Sequence, residues 1–325
     1  MPAPTSSVQA RPEIAQSLIE FDLAMDRNGF VGHRVFPVFE APKDHGTFGK
    51  IPIEQLLQNR ETARAPKGGY SRGNYTFTND TFTTAEHGAE EPVDDREKAM
   101  YSDYFNADLY ASQRAMDVVL RNAEKRIAAA VFNASTWTGS SLTTAVSTEW
   151  STAASSTPIN DVEGAVRKVR TNTGLKPNTI IMPWTVFRNL RLCSQIIDRI
   201  TSSGAGSPAK PTDITPAMLA AVFDIESVLV ADSQKNTATE GQSASLSDIW
   251  SNEYVMVCRV ARTQDLAEPC IGRTFHWGED GSSIGGTVES YREEDIRSDV
   301  MRVRHQVGEK VLYAECGHLL SNITA

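Results

Sequence analysis

Residues 94–133, DDREKAMYSDYFNADLYASQRAMDVVLRNAEKRIAAAVFN, decide the fold of this 325-residue chain. Phe105, Leu109, Ser112, Met116, Val119, Ala123, Ile127 and Ala130 recur at i, i+3, i+4 and i+7, the spacing of one helix face. Pro92 followed by Asp94 and Asp95 marks the start, with carboxylates where the helix dipole favours them. The run predicts a single helix roughly 50 Å or more long at ~1.5 Å per residue. That length is unusual in a globular domain and suits a spine. Its predicted core face is Phe105, Leu109, Met116, Val119 and Ile127.

Toward the N-terminus, residues 14–30 carry apolar side chains at 14, 18, 21 and 25, and Asn28-Gly29 follows, which predicts a short amphipathic helix. From Val35 to Val93 the texture changes to short alternating runs, FGKIPI and NYTFTNDTFTTAEHG, broken by Gly, Pro and Asn. This predicts a long β-hairpin arm. Such an arm has too few large apolar residues to hold a core, and a lone two-stranded hairpin is marginal in water. It must fold back on its own domain or reach a neighbouring copy. The expectation is the second, with Phe48, Ile51, Ile53, Tyr70, Tyr75 and Phe77 as the contact surface.

Toward the C-terminus, residues 133–158 are mostly Ser, Thr and Ala without core periodicity, and are expected to form a surface excursion or linker. DVEGAVRKVRTNTG predicts a helix closed by Gly174 as a C′ glycine. A buried strand, Thr179 to Met182, runs through Pro183 into another helix. ITPAMLAAVFDIESVLVAD repeats the theme with a short helix and the strand Val228 to Ala231. A strand around Tyr254 to Val260 follows, after a polar loop over 232–248. TVESYREED, DVMRVRHQ and KVLYAECGHLLSN predict three consecutive closing strands. The fold class is α+β.

Composition narrows the function. Apolar residues make up 40% and charged residues 22%, an ordinary globular balance. The longest apolar stretches fall far short of the roughly 20 residues that span a bilayer, so no membrane partner is expected. The N-terminus, MPAPTSSVQARPE, has no basic segment leading into an apolar one, and so reads as no secretory signal. A net charge of −9 argues against sequence-specific DNA reading, which needs a basic footprint. Nonspecific proximity to DNA stays open, since an acidic wall avoids adhesion. Cys193, Cys258, Cys270 and Cys316 form no C-x-x-C pair, and the six histidines show no ligand spacing, so no metal and no cofactor is expected.

Three features could carry chemistry. Gly281-Ser282-Ser283-Ile284-Gly285 satisfies G-x-S-x-G, with Asp295 and His305 downstream, and would make Ser283 a hydrolase nucleophile. That elbow requires a helix directly after the serine, whereas GTVESYREED is strand-like, so a glycine-rich turn is expected. Gly46-Thr47-Phe48-Gly49-Lys50 lacks the spacing of a phosphate loop and is read as a turn in the arm. Arg292-Glu293-Glu294-Asp295 is read as a solvated turn or an intersubunit salt bridge. No catalytic residue is expected.

The order of these elements resembles the major capsid proteins of tailed bacteriophages, the Hong Kong 97-like fold also used by encapsulins. The resemblance covers about residues 30–325. It rests on the arm and spine pair, on KPNTIIMPWTVFRNL with CSQIIDRI, on ITPAMLAAVFDIESVLVADS leading to DIWSNEYVMVCRV, and on CIGRTFHW followed by the closing strands. It implies an N-terminal arm (1–34), an extended loop (35–93), a peripheral domain with the spine and the Ser/Thr-rich excursion (94–175), an axial domain (176–285), and C-terminal strands (286–325). It implies self-assembly as pentamers and hexamers into an icosahedral shell around double-stranded DNA, located in the virion and assembled in the bacterial cytoplasm. Portal and decoration proteins would be further partners. Many members begin with a scaffolding segment that a protease removes; here the arm begins near residue 35, so a separate scaffolding protein, or none, is expected. Some members also crosslink an arm lysine to an asparagine; Lys50 and Lys67 lie on the arm, but no feature of the sequence places a base beside either. An encapsulin compartment is the alternative within the fold.

Overall fold

Asn106 interrupts the predicted spine. In the computed structural model its backbone is extended (φ −80°, ψ 107°) and its side-chain oxygen accepts the amides of Asp108 and Leu109. Such a cap satisfies donors that a helix's first turn leaves unpaired, so a new helix begins here. The spine is therefore Ala107–Val131, 25 residues, or about 37 Å at ~1.5 Å per residue. A separate seven-residue helix, Asp95–Tyr101, precedes it. The single helix expected over 94–133 is corrected accordingly.

The structure describes residues 9, 10 and 29–324, apart from 51, 53, 54, 56, 75, 77, 102–105, 203–213 and 240. The helix expected over 14–30 lies outside the described residues, except for Gly29 and Phe30. In chain order the helices are α1 (Gly32–Val35), α2 (Asp95–Tyr101), α3 (Ala107–Val131), α4 (Pro158–Thr173), α5 (Trp184–Leu190), α6 (Ser194–Ser202) and α7 (Pro216–Val222). The strands are β1 (Gln9–Ala10), β2 (Val38–Glu40), β3 (His45–Lys50), β4 (Thr78–Thr83), β5 (Ala85–Asp94), β6 (Thr143–Ala145), β7 (Thr179–Pro183) and β8 (Ser227–Ala231). They continue with β9 (Gln234–Asn236), β10 (Leu246–Asp248), β11 (Val255–Cys258), β12 (Gly272–His276), β13 (Thr287–Glu293), β14 (Ser298–Val311) and β15 (Gly317–Ser321).

Two sheets organise the chain. The first is built on β14, whose 14 residues take in the second predicted closing strand and Lys310-Val311 of the third, while Gly317–Ser321 of the third forms β15 in the other sheet. β13 pairs with it along Ser298–Arg304, β5 along Ser298–Val307 and β12 along Val307–Val311, while β2 joins β12 in parallel. Among the described residues of the run from Val35 to Val93 only β3 and β4 pair with each other, so the arm is shorter than that run; β2 and β5 belong to the core sheet. The spine packs on this sheet through Ala115, Met116, Val119 and Leu120, against Val288 and Val303.

The second sheet has the order β6-β15-β11-β7-β8. β7 and β11 read as continuous apolar runs because both of their faces are covered. One face meets α4 to α7 in a core that includes Ile180, Met182, Val255 and Val257. The other face, through Ile181 and Met256, meets Ile127 and Val131 at the end of the spine. α4 ends as expected, on Gly174 at φ 72°.

The Ser/Thr-rich run is a correction: it is not a surface linker. Trp137 and Trp150 are fully buried, and β6 pairs with β15. The Trp137 indole N–H donates to Val131 O at 2.7 Å, and that of Trp150 to Asp161 Oδ2 at 2.9 Å. The loop over 232–248 likewise holds a small hairpin, β9 with β10.

Candidate assembly site

The arm grows out of the core sheet. β3 and β4 pair from His45 with Thr83 to Lys50 with Thr78. At their base Phe82 stacks on Phe275 of β12 with ring centroids 4.4 Å apart, and Phe48 lies 6.1 Å from Phe275. Lys310 of β14 binds Asp80 and the Thr81 carbonyl, while Lys50 reaches the Leu312 carbonyl and lies over the Tyr313 ring. Although burial pulls the other way, the hydrogen bonds from Lys310 and Thr81 hold the Asp80 carboxyl below its ordinary range. Aromatic stacking and charge-assisted bonds thus fix the direction in which the arm leaves the subunit.

Beyond this base the chain leaves the core. Residues 57–74 are exposed apart from Arg60, which is half-buried. Gln55 Oε1 accepts the Thr76 amide at 2.9 Å and holds the two sides of the arm together. The tip carries Arg60, Arg64, Lys67 and Arg72 against Glu61, a basic end on an acidic chain.

Of the predicted arm contacts, Phe48 is half-buried on its own subunit's core, and Tyr70 is 72% exposed beside Arg64. Ile51, Ile53, Tyr75 and Phe77 lie outside the described residues, as does Phe105 of the predicted spine face. Met116, Val119 and Ile127 are buried against the first sheet or between the two sheets, and Leu109 is half-buried. The spine's opposite face leaves Tyr110 and Val118 61% and 40% exposed. The sequence reading missed Phe82, Phe275, Asp80 and Lys310 as the arm's anchor. Their signal was the alternation within 78–83, which does not say which strand lies beneath.

Glu124, on the buried face of the spine, was also missed. It accepts the amides of Val31 and Gly32 at 3.0 and 2.7 Å and the indole N–H of Trp250 at 2.6 Å. A carboxylate with three donors is tolerated in a core. It ties the entry of the chain to the junction of the two sheets.

The groups that could carry chemistry are otherwise engaged. Ser283 donates its hydroxyl to Gly286 O at 2.9 Å, in a loop that leads from β12 to the strand β13 rather than to a helix. The neighbouring Ser282 lies 3.4 Å from His276 Nε2, and His276 Nδ1 faces Glu40 at 2.6 Å. That order matches a hydrolytic triad, but the Ser282 hydroxyl donates to Trp277 O at 3.1 Å and its amide to Asp280. Both Ser282 and His276 are buried. Burial raises the thiols of Cys193, Cys258, Cys270 and Cys316 away from thiolate, that of Cys316 up to about 12. Arg292 pairs with Asp95 at 2.6 Å and Asp299 at 3.3 Å, an ion-pair network within the subunit. Among the described residues no helix is long and apolar enough to cross a membrane, and no group of His, Cys, Asp or Glu is arranged to hold a metal.

No family model matches the chain. The major capsid protein of Burkholderia phage BcepMu is 26% identical over 299 residues, 90% of this chain and 91% of the relative. That of Pseudomonas phage JBD67 is 22% identical over 301 residues, 92% and 94% of the two chains. Among solved structures, a phage-related protein from Bordetella bronchiseptica RB50 superposes with a TM-score of 0.69 at 18% identity, over 97% of both chains. The capsid of cyanophage P-SCSP1u follows at 0.57 and 9%, over 88% of this chain and 86% of that one. The SrpI encapsulin from Synechococcus elongatus PCC 7942 gives 0.51 at 9%, over 89% and 86%.

The fold is therefore the Hong Kong 97-like shell fold, common to phage capsids and encapsulins. Within that class the relatives that align along nine-tenths of both chains are phage major capsid proteins, and major capsid protein is the role this chain takes.

Proposed function

We propose that the chain assembles as pentamers and hexamers into an icosahedral shell around phage double-stranded DNA, and that the arm is its principal reach onto a neighbouring copy. The observation that carries this is the contrast along the arm: its base is locked into the core by Phe48, Phe82, Asp80 and Lys310, while residues 57–74 stand exposed. A hairpin held this way keeps its direction without help from its tip, which frees the tip for another subunit. Phe48 supports the base, so the contact falls to Tyr70 and the arm residues beyond Lys50.

We take the β14 sheet with the spine as the peripheral domain and the β7–β11 sheet with α4 to α7 as the axial domain, which moves α4 out of the peripheral stretch 94–175 and β12 out of the axial stretch 176–285. Each has an apolar cluster of its own, which supports the division. The role is structural rather than catalytic. The shell belongs to the virion, is built in the bacterial cytoplasm, and works with portal, decoration and scaffolding proteins. A net charge of −9 suits a wall that must not adhere to a moving genome.

Replacing residues 57–74 by a short Gly/Ser linker tests the arm. The variant is expected to stay soluble and to melt cooperatively, because exposed residues are removed. Sedimentation and negative-stain microscopy should find subunits or loose capsomers instead of closed shells. Normal shells would reduce the arm to decoration, and an unfolded variant would place its tip in the core.

A further inference from the structure

Four of the six histidines in the chain gather around a single ion pair where the spine meets the first sheet. Arg126 of α3 grips Glu309 of β14 through three contacts of 2.7 to 3.0 Å. His305, fully buried on β14, stands opposite His87 of β5 in the ladder, their rings edge to face at 6.1 Å. His33 enters from α1 and lies within reach of the charges of Glu309, Arg126 and His276. His276 comes from β12 and faces Glu40 of β2 at 2.6 Å. The other charged groups of α3 nearby are Glu124, bound to the Gly32 amide next to His33, and Lys125, which borders His87 from the solvent side. The two remaining histidines, His45 and His318, lie elsewhere, on Asp44 and on Ser141.

The hydrogen bonding of His305 and His33 suits neutral rings. A carbonyl can only accept, so the contact of 3.1 Å between His305 Nδ1 and Ile284 O fixes a proton on Nδ1. Nε2 then carries a lone pair, buried and without a partner, and His33 Nδ1 is buried in the same condition. A second proton on either ring would create a charged donor in the core with nothing to receive it.

We propose that this cluster is an acid-sensitive joint: protonation of His33, His87 and His305 sets up to three further cations around Arg126 against one Glu309 carboxylate, and releases the C-terminal half of the spine from β5 and β14. The direction of titration agrees with the geometry. Burial, reinforced by Arg126, lowers all three rings, His305 to about 4. In the unfolded chain a histidine takes its proton near ~6.5. Between those values the unfolded chain binds more protons, so stability that is complete above about pH 6.5 falls with pH until it levels off near about pH 4.

The test is the full-length protein melted across this window, with hydrogen exchange read at residues 119–131. The melting temperature is expected to fall from about pH 7 to about pH 5, and the exchange of 119–131, corrected for intrinsic rate, to rise at least about tenfold while β7 and β11 stay protected. In His305→Gln, whose amide can still donate to Ile284 O but cannot titrate, the fall should shrink by about half. An unchanged fall in that variant, or exchange that rises equally in every strand, would overturn the joint. Should His305→Gln not fold, the half-buried His87→Gln variant and the C2–H resonances of the parent decide. A His305 midpoint below about pH 5 supports the proposal, and one at the ordinary ~6.5 rejects it.

Discussion

Glu124 of the spine accepts the indole N–H of Trp250 at 2.6 Å, across 126 positions of sequence. With the Val31 and Gly32 amides on the same carboxylate, a single side chain joins the start of α1, the spine and the segment before β11. Replacing Glu124 by Leu strands three buried donors, and should cost about 3–5 kcal/mol. Glu124→Gln keeps one acceptor oxygen but turns an amide toward a donor, and should cost roughly 1–3 kcal/mol. Guanidinium unfolding of the two variants checks the order; a loss below about 1 kcal/mol for Leu would mean the carboxylate is not the tie described.

Trp137 gives a second, independent test. Its ring is fully buried between the spine's end and β15, and its N–H is held by Val131 O. Trp137→Ala should cost about 3–5 kcal/mol as a core cavity, whereas the same change in a surface linker would stay within about 0.5 kcal/mol. The denaturation midpoint separates the two.

Which parts of the fold were readable follows from where the physics is local. The period of the spine is visible because Met116, Val119, Ala123 and Ile127 form one continuously buried face, first against Val288 and Val303 and then, at Ile127, against Ile181 and Met256. Its break at Asn106 is not, because spacing continues across a cap that is decided by one side-chain oxygen. The excursion over 133–158 reads as surface because its Ser and Thr residues outnumber two tryptophans, and a tryptophan buries more area than several small residues expose. β5 looks like arm because its residues from Ala85 to Asp94 alternate between exposed and half-buried, with only Val93 fully buried; its partner β14 lies more than two hundred positions away. The histidine cluster has no local signature at all, since its members come from α1, β5, β12 and β14.

Acid should act on the subunit in two separable stages. Asp280 is held below its ordinary range by Ser282 and Arg304, which outweigh the opposing effect of burial. A depressed carboxyl contributes stability that is present above its unfolded value near 3.8 and is lost as pH falls through the lower folded value. Asp280→Asn should therefore cost about 1–2 kcal/mol at neutral pH, flatten the loss below about pH 4, and leave the histidine window unchanged. Melting curves of this variant beside His305→Gln check both limbs. A change in the window between about pH 4 and about pH 6.5 would show that the two stages are one.

Whether this chain closes into a shell is read by electron microscopy of the purified full-length protein, alone and with a candidate scaffolding protein. Closed particles with fivefold and sixfold clusters of subunits are expected, since a heterologous contact that closes produces a bounded assembly. Monomers and dimers alone under every condition, scaffold included, would contradict the account.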